Sequence, residues 1–164
     1  MTQISAAQVA ALAQGELETI VDATVREALA NRLAEPEPHV RDWDYGAPGG
    51  RYPCWTVAKD PASDSGIVYS IHGHGPINPW GLVALSNSRF GMESGWFSRL
   101  EDAFVDSCMG RKLPIWDVVS PNGTAVLSSR SLDEALAHRD ALDASLPKPI
   151  HHVVYRSRLP GGIP

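Results

Sequence analysis

Two stretches near the start of the chain carry apolar residues at the three- and four-residue steps of an amphipathic helix. Ser5, followed three residues later by Gln8, forms a capping-box pattern that predicts the start of the first helix. Gly15 predicts its end, because glycine readily adopts the left-handed conformation that closes many helices. The second stretch predicts a helix over residues 17–34, which a pair of prolines would end.

Residues 36–53 are rich in glycine, proline and aromatic residues, and we interpret this segment as an ordered loop. Beyond it, three short runs of β-branched and aromatic residues predict a meander of strands over 55–58, 66–72 and 80–85. Apolar residues at helical spacing then predict a helix over 97–109.

The last third of the chain predicts the order strand, turn, strand, helix, strand. Two β-rich runs, 113–119 and 124–128, flank the dipeptide Asn122-Gly123, which is a strong hairpin signal. Ser131 predicts the N-cap of the following helix, and residues 152–156 predict a final strand.

Together these elements predict a single α+β domain. Its antiparallel sheet has five to six strands with two helices on one face, and an N-terminal helical segment precedes it. Along the chain we distinguish this helical segment (1–35), the loop (36–53) and the sheet with its helices (54–164). The length of 164 residues, with 43% apolar and 20% charged residues, fits one hydrophobic core.

Charge and hydropathy argue against two classes of partner. The 14 lysines and arginines are outnumbered by 19 aspartates and glutamates, so the net charge is -5 and we expect no nucleic-acid partner. The chain lacks a run of roughly 18 apolar residues, the length a membrane helix needs, and its first residues do not resemble a secretory signal. We therefore expect a cytoplasmic protein without membrane contact.

The excess negative charge lies in the first half of the chain. Residues 1–75 hold 5 basic and 10 acidic residues, whereas the remainder holds 9 of each. A solvated helix face is one interpretation. The other is an acidic docking surface for a basic protein partner, because complementary charge speeds association.

Aromatic residues in glycine- and proline-rich segments are the strongest binding signal. An indole combines a large apolar area with one N–H donor, which suits it to anchor an interface. One hypothesis is that three tryptophans and their neighbours line one concave surface; the alternative is that the indoles fasten long loops onto the sheet. The candidate binding residues are Asp42, Trp43, Asp44, Tyr45, Trp80 and Trp96.

His72 and His74 are the candidate metal ligands. On an extended strand this spacing points both imidazoles to the same face, as a zinc site requires. A carboxylate such as Asp42 or Asp44, or one of the histidines His39, His151 and His152, would complete the site. The alternative is a glycine-rich turn in which the imidazoles bind backbone groups.

Other catalytic signatures are missing from the sequence. Cys54 and Cys108 are too few for a disulfide scaffold, and we expect both to be buried, unactivated thiols. Phosphate-binding loops and serine nucleophile elbows do not occur, so neither ATP nor NAD is indicated.

Two hypotheses of function follow. The first is a small acidic, non-catalytic protein-binding module of the toxin-neutralising or adaptor type, which needs no cofactor. The second is a zinc-dependent hydrolase that uses His72 and His74. The oligomeric state stays open.

Overall fold

The computed structural model describes residues 4–156, which divide into two units. Unit 1 consists of residues 4–21 and 25–111, and unit 2 of residues 22–24 and 112–156. The described residues form four α-helices and eight strands, which confirms the α+β class. Whether the chain is one domain stays a prediction.

Helix α1 (Ala6–Thr19) begins at the expected capping box. The Ser5 side chain accepts a hydrogen bond from the Gln8 backbone, and the Gln8 side chain accepts one from the Ser5 N–H. The predicted end at Gly15 is wrong, because the helix continues for another turn. This extra turn carries Leu17, which completes a buried stripe of Val9, Ala13 and Leu17.

The predicted helix over residues 17–34 is also wrong. The chain is extended at Ile20, helix α2 covers only Ala23–Ala30, and strand β1 (Leu33–Arg41) follows. Val21, which the helical pattern placed on the apolar face, is 88% exposed. The apolar spacing is therefore shared between two helices and a strand.

Unit 1 contains a five-stranded antiparallel sheet in which the strands follow chain order. The predicted meander is thus confirmed, and one strand precedes it. The strands are β1 (Leu33–Arg41), β2 (Tyr52–Asp60), β3 (Ser65–Tyr69), β4 (Trp80–Ala84) and β5 (Trp96–Phe97).

The segment 36–53, predicted as a loop, lies partly in strands. Pro36 and Pro38 belong to β1, and residues 52 and 53 begin β2. Proline has no N–H to donate, but β1 is an edge strand, so a proline nitrogen can face away from β2 without loss of a ladder hydrogen bond.

Helix α3 (Leu100–Asp106) is shorter than the predicted helix over 97–109. Helices α1 and α3 contact each other and the sheet, α1 at β1 and β2 and α3 at β4 and β5. None of the described helices is both long enough and apolar enough to cross a membrane.

The five-stranded sheet curls so that the end of β1 meets the chain after β4. Asp42 and Arg89 form a parallel β-bridge there. Arg41 is only 4% exposed, and its guanidinium donates to the carbonyl oxygens of Ala84, Asn87 and Arg89. A buried core lies within this curl, formed by Cys54, Val68, Val83, Phe90 and Trp96.

Unit 2 contains a separate three-stranded antiparallel sheet in the order β7-β6-β8, with helix α4 against all three strands. This division differs from the single sheet that we expected. Because β5 has only two residues, it offers little edge for further pairing, and β6 instead pairs with β7 through the local hairpin. The elements are β6 (Ile115–Val119), β7 (Ala125–Ser129), α4 (Leu132–Asp143) and β8 (His152–Arg156).

Two local predictions for unit 2 are confirmed. Gly123 adopts a positive φ of 83° in the turn between β6 and β7. Ser131 caps α4 by accepting a hydrogen bond from the backbone N–H of Glu134.

Candidate functional site

The segment Asp42–Tyr45 directly follows β1 and is anchored at its first residue. The Asp42 N–H donates to the carbonyl of Ser88 over 2.8 Å, and the Phe90 N–H donates to the carbonyl of Asp42 over 3.0 Å. Both bonds involve the backbone of Asp42, so the segment is held in place at its first residue. We call residues 42–45 the recognition segment.

Each carboxylate of the recognition segment already has an arginine partner. Arg51 lies 3.4 Å from Asp42, and Arg89 lies 2.9 Å from Asp44. These side chains are between 45% and 59% exposed, so each pair contributes at most about 1 kcal/mol to stability. Both carboxylates therefore remain accessible to water and to an incoming cation.

Trp43 is the structural base of the recognition segment. Its ring is half-buried and makes edge contacts with Tyr45 (6.3 Å between centroids), Tyr52 (5.7 Å) and His74 (5.6 Å). Each such ring pair adds roughly 1 kcal/mol beyond the area it buries. Tyr45 itself is 71% exposed, so the segment presents a large aromatic side chain on a packed support.

Trp80 and Trp96 do not join this surface, which corrects our placement of them. Trp80 is fully buried, and its indole packs on Tyr69, directly opposite on β3. Trp96 is 5% exposed and lies opposite Gly81, where a Cβ would come within 2.6 Å of the indole ring. Both rings therefore stabilise the sheet as buried members of β4 and β5, whereas our alternative had them fasten loops onto it.

The two histidines lie in a turn rather than on an extended strand. Gly73 between them has a positive φ of 68°, and their rings pack on different neighbours. His72 contacts Tyr52, whereas His74 lies between Trp43 and Trp96. Within residues 4–156 no group of three histidine, cysteine, aspartate or glutamate side chains could hold a metal ion. The zinc hypothesis therefore has no complete site in this part of the chain.

Part of the acidic front end has a structural role that the sequence did not reveal. Glu16 accepts hydrogen bonds from the Trp80 indole and from the Leu100 backbone N–H, each over 2.6 Å. Glu37 binds Lys59, whose ammonium holds the pKa of that carboxyl below its usual value. Glu16 therefore belongs to the fold and is not part of a docking surface, whereas the Glu37 side chain is 48% exposed and stays accessible, as Asp42 and Asp44 do.

The cysteines differ from each other. Cys54 is buried as expected, and burial raises the pKa of its thiol to about 11 despite the neighbouring Arg41. It is therefore protonated at neutral pH and unreactive. Cys108 is exposed, so our expectation that it is buried was wrong.

Sequence reasoning missed two exposed apolar residues on loops that contact Trp43 or Tyr52. The loops that carry His74 and Phe90 meet Trp43 or its neighbour Tyr52 through ring contacts. Each loop also exposes a large apolar side chain: Ile77 is 80% exposed and Met92 is 72% exposed. The signal available in the sequence was that Ile77 and Met92 lie in glycine- and proline-rich segments, where an apolar side chain is often exposed.

Unit 2 contains a second polar cluster that we did not predict. Asp143, the last residue of α4, is 9% exposed and lies 2.7 Å from the His151 ring nitrogen Nδ1. Its oxygens also accept from the backbone N–H groups of Ile150 and His151, each over 3.3 Å. The surface cleft beside them measures about 500 Å³, and the described residues that line it include no serine, threonine or cysteine. The cluster thus fastens the end of α4 to the two residues directly before β8.

This fastening predicts a pH dependence. The His151 ring and the two backbone N–H groups hold the pKa of Asp143 below its usual value. A carboxyl whose folded pKa is lowered stabilises the fold above its unfolded pKa and loses that contribution as the pH falls through the folded pKa.

No protein family model, curated protein or solved structure significantly matches this chain.

Proposed function

We propose that the chain is a small acidic protein-binding module of the toxin-neutralising or adaptor type, and that the recognition segment contacts the partner. The observation that carries this proposal is Tyr45, which is 71% exposed yet packs on the half-buried ring of Trp43. An exposed aromatic ring on a rigid support loses little conformational entropy on binding, which is the property of an interface hot spot.

The surroundings of Tyr45 support the same proposal. Two loops that contact Trp43 or Tyr52 through ring contacts also expose Ile77 and Met92, and methionine is among the residues enriched at protein interfaces. Such a surface requires no cofactor.

We further propose that the partner is basic. Asp42 and Asp44 are each held at one oxygen by a solvated arginine, so an arginine or lysine of the partner can bind the other oxygen. The net charge of -5 acts in the same direction. Because rim charges mainly steer encounter, added salt should lower the association rate more than it raises the dissociation rate.

Replacing Tyr45 tests the proposal. A photoreactive phenylalanine analogue at position 45 should cross-link a protein from an extract of the source cells, whereas the same analogue at Leu12, a 43% exposed residue of α1, should not. Once the partner is purified, Tyr45→Ser should weaken binding by about tenfold or more, because an anchor residue contributes at least ~1.4 kcal/mol. Leu12→Ser is the matched control.

Two results would count against the recognition segment. One is cross-linking at position 45 that does not exceed cross-linking at position 12. The other is equal affinity for wild type and Tyr45→Ser, measured by titration calorimetry with the purified partner.

A further inference from the structure

Three of the four sheet edges in the described chain carry features that prevent pairing with another strand. Edge strand β1 contains Pro36 and Pro38, and its register with β2 is interrupted. Strand β5 has only two residues. Strand β7 pairs with β6 across a register shift at Val118 and Val119. Prolines, short strands and irregular register are the known protections of sheet edges.

Strand β8 has none of these protections. It pairs with β6 in continuous register over all five residues, and it contains neither proline nor glycine. Among the described residues, β6 is its only strand neighbour. Val154 is 48% exposed and Tyr155 is 55% exposed. A regular, apolar edge of this kind is a template for a further strand.

We propose that β8 pairs antiparallel with β8 of a second copy of this chain, so that the two three-stranded sheets join into one of six strands. A twofold axis at Val154 places Val154 opposite its counterpart and Val153 opposite Tyr155 of the other copy. A β-branched residue opposite an aromatic one is a favourable cross-strand pair. The same axis places His152 opposite Arg156, so the complementarity of β8 to itself rests on its three central residues.

The small hydrophobic core of unit 2 supports association with a second copy of the chain. Within its described residues, the fully buried apolar side chains are Ile115, Val118 and Ala135. A unit of this size buries little surface alone, and association is a common source of additional burial. Between residues 112 and 156, seven large apolar residues of unit 2 are exposed: Val126, Leu132, Leu142, Leu146, Ile150, Val154 and Tyr155.

Lysine at the centre of the proposed interface tests the pairing. In sedimentation velocity over a wide range of concentrations, the wild-type protein should form dimers. Val154→Lys should raise the dimer dissociation constant by about tenfold or more, because two like charges face each other across the axis. Val126→Lys is the matched control on edge strand β7, where the side chain is 50% exposed, and it should leave the dimer unchanged.

A cysteine variant tests the register independently of any effect of lysine on folding. With the exposed Cys108 replaced by serine, Val154→Cys should form a disulfide-linked dimer under mild oxidation, since residues opposite in an antiparallel pair lie close enough to be joined. Val126→Cys should stay unlinked. A wild-type protein that is monomeric at all concentrations would overturn the proposal. So would a dimer that Val154→Lys leaves intact, or one that only Val126→Lys dissociates.

Discussion

Replacing Arg41 with methionine is expected to lower the free energy of unfolding by about 3 kcal/mol, because hydrogen bonds from a charged donor contribute about 1.5–3 kcal/mol each and several are lost together. The guanidinium donates to Ala84 over 3.1 Å, to Arg89 over 3.4 Å and to the Asn87 carbonyl between them. Methionine has a similar length but cannot donate. Urea unfolding should show a lower midpoint with an unchanged slope.

Arg51→Met is the matched control for this prediction. Arg51 is 58% exposed, donates to the Val40 carbonyl over 3.2 Å and pairs with Asp42, so its loss should cost only about 0.5 kcal/mol. If Arg41→Met does not fold, Arg41→Lys provides a second test. One nitrogen, Nη1, makes all the carbonyl contacts, so the shorter lysine keeps the charge and can replace part of them, and its stability should lie between those of wild type and methionine. Equal stabilities for the Arg41 and Arg51 variants would show that the carbonyl contacts are not important.

Glu16→Ala should destabilise the protein by about 2–3 kcal/mol, since two hydrogen bonds to a charged acceptor are lost and the Trp80 indole N–H stays buried without them. Glu16 also takes the place of a missing cap. Arg99, the N-cap of α3, makes no side-chain hydrogen bond, and the Glu16 carboxylate instead binds the N–H of Leu100 in the first turn. Tryptophan fluorescence during urea unfolding would measure the loss.

Glu18→Ala provides the comparison on the same helix. Glu18 is exposed and accepts a single hydrogen bond, from the Gln14 side chain, so its replacement should change stability by no more than about 0.5 kcal/mol. Glu16→Gln retains an acceptor without the charge and should fall between the two alanine variants. A Glu16 variant as stable as the Glu18 variant would remove the proposed role of the carboxylate.

The elements that could be predicted from the sequence are those with local signals. The capping box of Ser5 and Gln8 correctly predicts where α1 begins, and the dipeptide Asn122-Gly123 correctly predicts the hairpin of β6 and β7. Proline and glycine residues predict the turns that separate strands β2, β3 and β4. In each of these cases the residues that decide the structure lie next to the element that they decide.

The errors arose where residues distant in sequence determine the secondary structure. Apolar spacing from Leu17 to Leu33 suits one helix, but the chain breaks at Ile20 and pairs residues 33–41 with β2 instead. Pro36 and Pro38 appeared to exclude a strand, yet an edge position makes both acceptable. Whether a strand lies at an edge depends on the order of all strands in the sheet, so it cannot be predicted from the residues of that strand alone.

The candidate site divides in the same way. The recognition segment lies at the surface between two strands, as its composition suggested, although its binding role stays a prediction. Trp80 and Trp96 had the same glycine- and proline-rich surroundings but are buried. Their burial depends on Glu16, which is 64 residues from Trp80 in sequence, and on Gly81, which lies across the sheet from Trp96.

The position of Arg41 has a consequence for the order of folding. The hairpins of the meander pair strands that follow each other in the chain, so each hairpin forms by closing only a short loop. The carbonyl groups that Arg41 binds are 43, 46 and 48 residues away, and they come together only when β4 has already turned back beside β3. Long loops close more slowly and at a greater entropic cost. We therefore expect the hydrogen bonds of the Arg41 guanidinium to form late in folding, after the strands have paired.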